Sequence, residues 1–438
     1  MQINANKVKE VLSKHILTDG FDPIFDEEQS EGSCFVDKRN GRKYLDLFSF
    51  FASSPVGFNH SKIRESAEKL GKIAKHKPTN SDIYTDTYAE FVQTFGEIGI
   101  PEELPHAFFI EGGALGVENA LKAAFDWKVR KSLSKGRGEL GTKIIHFRRA
   151  FHGRTGYTLS LTNTDEQKIK YFPKFDWPRI DSPAIRFPLE ENLDSLIVEE
   201  KKSVDQIKQA ISDFPDDIAA IIIEPIQSEG GDNHFRGEFL ADLRTIADES
   251  ELMLIFDEVQ TGVGLTGKFW AYQHLGVKPD MISFGKKMQV CGFLSSTRLD
   301  DIEENVFKSS GRLNSTFGGN LIDMARTTIY LEIIRDEELI EKAEVTGKHL
   351  LYRIQALQDE FGGYISNARG RGLLCAFDLP SSDDRNRIID IIMDNGALIL
   401  GCGERTIRFR PSLTISTEEI DRGIEIIERS INAHIAKL

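Results

Sequence analysis

The strongest constraint on this chain is a series of short, almost uninterrupted apolar runs in its middle, separated by longer amphipathic stretches. Lys143–Phe147 and Ile218–Ile223 are such runs, as is 252–256, with Met281–Phe284 a weaker fourth. A strand with one solvated face alternates polar and apolar residues, whereas a run that is apolar at nearly every position needs cover on both faces. Helical patterns over 117–128 and 239–249 supply that cover. The pattern predicts an α/β fold, with a mostly parallel central sheet between layers of helices.

The end of the chain reads differently. An amphipathic helix region is expected over 334–359, then a strand over 370–377, a helix, and a second strand at Thr406–Phe409. This is the pattern of a smaller α+β unit. A hairpin signal around Asp37-Lys38-Arg39-Asn40-Gly41 places the first 65 residues with it. The expected division is therefore 1–65 and 334–438 in the small unit, with 66–333 as the large one. A length of 438 residues suits two such units better than a single core.

Composition narrows the function. A formal net charge of −14 argues against a nucleic-acid or anionic-membrane partner, which would need the opposite sign. Cys34, Cys291, Cys375 and Cys402 are scattered, with no paired spacing for zinc or a disulfide framework, so no metal is expected. The opening Met1-Gln2-Ile3-Asn4-Ala5-Asn6-Lys7 lacks the apolar core of a signal peptide, and no apolar run approaches the roughly 20 residues that span a bilayer. A cytoplasmic setting is expected.

The chemistry gathers at strand ends. Leu252-Met253-Leu254-Ile255-Phe256-Asp257-Glu258 sets an acid at the carboxyl end of a buried strand, where α/β proteins place their ligands. Alone, the same pattern suits a helix N-cap or the magnesium strand of a nucleotide hydrolase. The hydrolase needs a phosphate loop, and in Gly262-Val263-Gly264-Leu265-Thr266-Gly267-Lys268 the next residue, Phe269, stands where Ser or Thr would ligate magnesium. Further on, Met281-Ile282-Ser283-Phe284-Gly285-Lys286-Lys287 delivers a lysine just past another strand. An acid and a lysine at neighbouring strand ends make pyridoxal 5'-phosphate (PLP) the economical explanation. The lysine anchors the cofactor, and the carboxylate keeps the pyridine nitrogen protonated.

Three ordered blocks carry a family resemblance: Ile223-Glu224-Pro225-Ile226-Gln227-Ser228-Glu229-Gly230-Gly231, Phe256-Asp257-Glu258-Val259-Gln260-Thr261-Gly262 and Phe284-Gly285-Lys286. They resemble the class III aminotransferases, and the likeness runs from about residue 35 to the C-terminus. It implies the type I fold of PLP-dependent transferases, and the family's spacing from Asp257 selects Lys286 over Lys287. Phe51-Ala52-Ser53-Ser54, Glu111-Gly112-Gly113-Ala114, Gly285-Lys286-Lys287-Met288-Gln289-Val290-Cys291-Gly292 and Arg312-Leu313-Asn314-Ser315-Thr316-Phe317-Gly318-Gly319-Asn320 are most similar to the branch acting on the terminal amine of L-lysine. Ornithine, 4-aminobutyrate and acetylornithine remain alternative donors.

The resemblance also implies roles. Gly112, Gly113 and Ala114, at a helix start, suit the cofactor phosphate. Phe151 resembles the aromatic stacked on the ring, and Gln260 the partner of its phenolic oxygen. Thr316 resembles a threonine that reaches the phosphate from a neighbouring subunit, which implies a homodimer with shared sites. Arg154 is expected to hold the substrate's far carboxylate and Arg408 the near one, each as a bidentate fork, with Asn314 as a further substrate contact. Glu229 is expected to neutralise Arg408 when no carboxylate is there. L-Lysine and 2-oxoglutarate are the implied substrates. His152 is left out of the set, because in this family the lysine moves the proton.

Overall fold

The computed structural model describes residues 3–437. Its centre is a seven-stranded sheet in the order His106–Ile110, Cys291–Ser295, Met281–Phe284, Met253–Asp257, Ile218–Ile223, Lys143–Phe147 and Arg179–Ile180. Only Cys291–Ser295 runs antiparallel to its neighbours; the other neighbouring pairs are parallel. The sheet is mostly parallel because its apolar strands are buried on both faces: every residue of Ile218–Ile223 and of Met253–Asp257 is buried.

Alternate side chains of each strand enter different cores. Ile222, Met253 and Ile255 join Val117, Ala120, Leu121 and Trp127 of the helix Gly113–Ser134. Ile221, Ile223, Leu254 and Phe256 join Phe239, Leu240 and Leu243 of the helix Gly237–Glu249 on the opposite face. Both helices begin before the positions the periodicity marked, and the first also runs past Lys128 to Ser134. The central strand is one residue later than expected, so Asp257 is its last residue.

Two expectations are corrected near the C-terminus. The region 334–359 is not one helix: Leu321–Asp336 and Leu339–Glu360 are separate, broken where Glu338 takes a left-handed φ of 52°. The seam expected between 333 and 334 lies in the last turn of the first. Residues 370–377 are not one strand but the turn of a hairpin, Ser366–Arg371 against Leu374–Asp378. The reversal falls on Gly372, φ +55°, where a Cβ would meet the carbonyl carbon of Thr266 at 2.4 Å. Those strands continue into Thr406–Phe409 and Leu400–Cys402 as an antiparallel four-stranded sheet.

The expected N-terminal hairpin forms, Cys34–Val36 against Lys43–Asp46. Ala397–Leu398 adds to it in parallel, tying the start of the chain to its end. Among the described residues, no helix is long and apolar enough to cross a membrane, and no cluster of three or more His, Cys, Asp or Glu could hold a metal ion.

Candidate active site

The strands' carboxyl ends open on a cavity of about 500 Å³, lined by Lys286, Asp257, Gln260, Phe151, Arg154 and Arg408 among others. A larger cleft, about 860 Å³, lies beyond Gly230 and Gly231 and is lined by Arg149, Arg369 and Arg405. It contains neither Lys286 nor Asp257, whereas the smaller one contains both.

Lys286 follows Phe284 and Gly285 at φ 47°, an uncommon conformation for a residue with a side chain and one that clusters at functional sites. A Cβ on Gly285 would meet the Cys291 sulfur at 2.9 Å, so the turn needs glycine for space. The Lys286 amine is lowered to about 8, chiefly by burial and then by the charges of Arg408 and Arg410. Lys287 is different. Its buried Nζ donates to the Gln260 carbonyl at 3.0 Å, and it does not line the cavity.

Asp257 is held by two donors. His152 Nδ1 donates to Oδ2 at 2.7 Å, and the Val259 N–H donates to Oδ1 at 3.0 Å. Burial opposes a charge on His152, but the hydrogen bond and charge of Asp257 outweigh it and raise its pKa. The two hydrogen bonds fix the orientation of the carboxylate, which lines the cavity. Glu224 accepts the Phe151 N–H and the Ser228 N–H, each at 3.0 Å, which fixes the backbone on either side of the cavity.

At the mouth, Gly113 and Ala114 open the helix Gly113–Ser134 after Gly112 at φ 103°. The first-turn amides of a helix have no partner within it and favour an anion. Arg154 lines the cavity and is exposed, with no ion pair among the described residues. Arg408 is brought in by the register Ala376↔Arg408 and is nearly fully buried. Its Nη2 donates to Glu229 Oε2 at 2.9 Å, while Nε and Nη1 have no partner among the described residues. The other oxygen of Glu229 accepts from Lys168 Nζ at 2.8 Å. Burial would raise Glu229, but Arg408 and Lys168 together hold it below the ordinary carboxylate value.

Asn314 and Thr316 are exposed and stand apart from this chain's cavity. Three residues of the site had gone unassigned. Glu224 stands in the first family block without a role, and His152 is weighed only as a base and left out, not as the partner of Asp257. Lys168 had no motif around it, and only the fold brings it to Glu229, 61 residues on.

These groups fit PLP. Gln260 Oε1 is buried with no partner among the described residues, Asp257 is a carboxyl acceptor suited to a protonated pyridine nitrogen, Lys286 offers an amine, and the helix start suits a phosphate. The family model for aminotransferase class-III matches residues 20–431. The chain is a class III aminotransferase. Over 430 residues it is 49% identical to the L-lysine-epsilon aminotransferase of Mycobacterium tuberculosis, covering 97% of this chain and 95% of that protein. Identity to the L-lysine-epsilon aminotransferase of Amycolatopsis lactamdurans is 45% over 432 residues, covering 98% and 96%. The solved lysine aminotransferase from M. tuberculosis matches with a TM-score of 0.97 at 48% identity, covering 99% of this chain and 100% of that one. This class III aminotransferase is a PLP-dependent transaminase of the type I fold.

Proposed function

We propose that this class III aminotransferase moves the ε-amino group of L-lysine to 2-oxoglutarate, giving 2-aminoadipate 6-semialdehyde, which cyclises, and L-glutamate. The observation that carries the reading is the buried Arg408 closed by Glu229 in the same cavity as Arg154, which has no ion pair among the described residues. The named function of the relatives supports it.

L-Lysine carries no carboxylate beside its reacting carbon. Arg408 would then be a buried, uncompensated charge, so Glu229 stays on it. Arg154 takes the α-carboxylate at the far end. PLP, when bound, supplies the electron sink that lets the C–H bond beside the amine break. Lys286, released from its anchoring role, takes the proton from the ε-carbon as a general base; Asp257, oriented by His152, would hold the ring nitrogen. With PLP bound, Phe151 and Gln260 would hold the ring, and Gly112, Gly113 and Ala114 the phosphate. For 2-oxoglutarate, Glu229 leaves Arg408, and the two arginines take the two carboxylates. Thr316 of the partner subunit completes the phosphate site, which makes the enzyme a homodimer, with Asn314 as a further substrate contact. The setting is the cytoplasm.

A donor panel with 2-oxoglutarate as acceptor tests the reading by following glutamate and cyclised semialdehyde. L-Lysine is expected to give the highest kcat/KM. Faster turnover of ornithine, 4-aminobutyrate or acetylornithine would overturn the donor assignment.

A further inference from the structure

Glu229 is shared between two cations on opposite sides. Oε2 accepts from Arg408 at 2.9 Å and Oε1 from Lys168 at 2.8 Å. The two cations differ in setting: the Arg408 side chain is 2% exposed, those of Lys168 and Glu229 28% and 29%. Behind the pair lies a second cavity, about 370 Å³, lined by Thr164, Asp165, Arg385 and Cys402 among others. Lys168 and Glu229 are the two side chains common to it and the active-site cavity. They form the wall between the two.

The backbone of Glu229 is held in place. Its carbonyl accepts from the Gly403 N–H at 2.8 Å, and a Cβ on Gly403 would meet the Gly231 Cα at 2.8 Å. Any exit from Arg408 is therefore a side-chain rotation. Lys168 is placed by the short turn Glu166–Lys168, whose start is capped by Asp165 accepting from the Gln167 N–H at 2.9 Å. Arg385, which also lines the second cavity, is held by its Nη1 donating to the Gly403 carbonyl at 2.9 Å and its Nε to Asn386 Oδ1 at 3.0 Å, and makes no ion pair with Glu229 among the described residues.

We propose that Lys168 is a positioning residue for the acceptor half of the reaction: it retains Glu229 through Oε1 as Oε2 leaves Arg408, and steadies the carboxylate at the second cavity while the 2-oxo acid occupies Arg408. This rests on the reading of Glu229 and Arg408 given above. With Arg408 in contact, Lys168 is one of two partners of Glu229; once Arg408 is taken, it is the remaining one. Its loss therefore weakens the open arrangement more than the closed one. Because the pair is partly exposed, the effect is modest, about threefold to tenfold.

The test uses the PLP-loaded enzyme and its Lys168→Met, Lys168→Arg and Glu229→Ala variants. Glutarate, a dicarboxylate that cannot react, is titrated by calorimetry, and single-turnover absorbance follows the half-reaction with L-lysine. In Lys168→Met the Kd for glutarate should rise about threefold to tenfold while the L-lysine half-reaction stays within about twofold, and Lys168→Arg should restore glutarate binding. Added to Glu229→Ala, Lys168→Met should have no further effect on glutarate. An unchanged glutarate Kd in Lys168→Met overturns the proposal, and so does an equal loss in the L-lysine half-reaction, which would make Lys168 a structural or donor-binding residue. Glu229→Ala separates the two readings. If it leaves the L-lysine half-reaction untouched, the Glu229–Arg408 reading itself fails; if it slows that half-reaction while Lys168→Met is silent, only the role of Lys168 fails.

Discussion

Two adjacent lysines with opposite environments make the sharpest test of the site. Lys286 lines the cavity; Lys287 is buried behind it on the Gln260 carbonyl. Lys286→Ala should lower turnover by at least about a thousandfold, because under the proposed reading it removes both the anchor and the proton carrier. Lys287→Met should keep PLP attached through dialysis, and its loss should appear as a lower melting temperature instead. The lowered pKa of Lys286, about 8, adds a pH signature. The neutral amine is the nucleophile, so about a tenth is reactive at pH 7, against a few ten-thousandths for an unshifted lysine. Attachment of PLP to the apoprotein, followed by near-visible absorbance, should accelerate as pH rises toward 8 and level off above it. A rate still climbing steeply past pH 9 would show that burial does not lower this amine.

At the scale of elements, the site is an alignment of one loop against one helix start. Gly153 has φ +121°, and a Cβ there would meet the Ala114 Cβ at 2.5 Å and Thr158 Oγ1 at 2.8 Å. Gly153→Ala would push Phe151–Arg154 away from the first turn of Gly113–Ser134. The combination of overpacking and an unfavourable φ typically costs about 1–3 kcal/mol. The expected outcome is a PLP Kd raised about tenfold or more, with a smaller gap between the apo and PLP-loaded melting temperatures. Much of this arrangement was legible in the chain. Continuous apolar runs marked the strands, and the acid and lysine at their ends marked the cavity. What was not legible depended on backbone conformation or on distant contacts. The break at Glu338 sits in an uninterrupted helical pattern, and no glycine or proline announces it. Gly372 did mark its reversal, but apolar residues on both sides read as one strand. The Lys168–Glu229 contact joins a surface turn to a buried loop, and no local spacing encodes such a pair.

At the scale of the whole molecule, the cavity of one chain is incomplete under the proposed reading. Thr316 and Asn314 are exposed on the chain that carries them and line no part of its own site. In a dimer with twofold symmetry, the surface that receives a partner's Thr316 also presents its own, so two sites form at once. Mixed dimers separate this arrangement from two independent sites. Thr316→Val removes a hydroxyl while keeping the shape, and loss of one hydrogen bond to a charged phosphate should weaken PLP binding about tenfold. Combining Lys286→Ala chains with Thr316→Val chains gives hybrids with one doubly defective site and one site with both residues intact. Each hybrid should bind PLP at its intact site with parent affinity and give about half the parent activity. If every site used its own Thr316, no intact site could form, and the hybrid's active site would keep the weakened affinity of Thr316→Val. Titrating PLP into purified hybrids therefore distinguishes the arrangements by affinity as well as by rate.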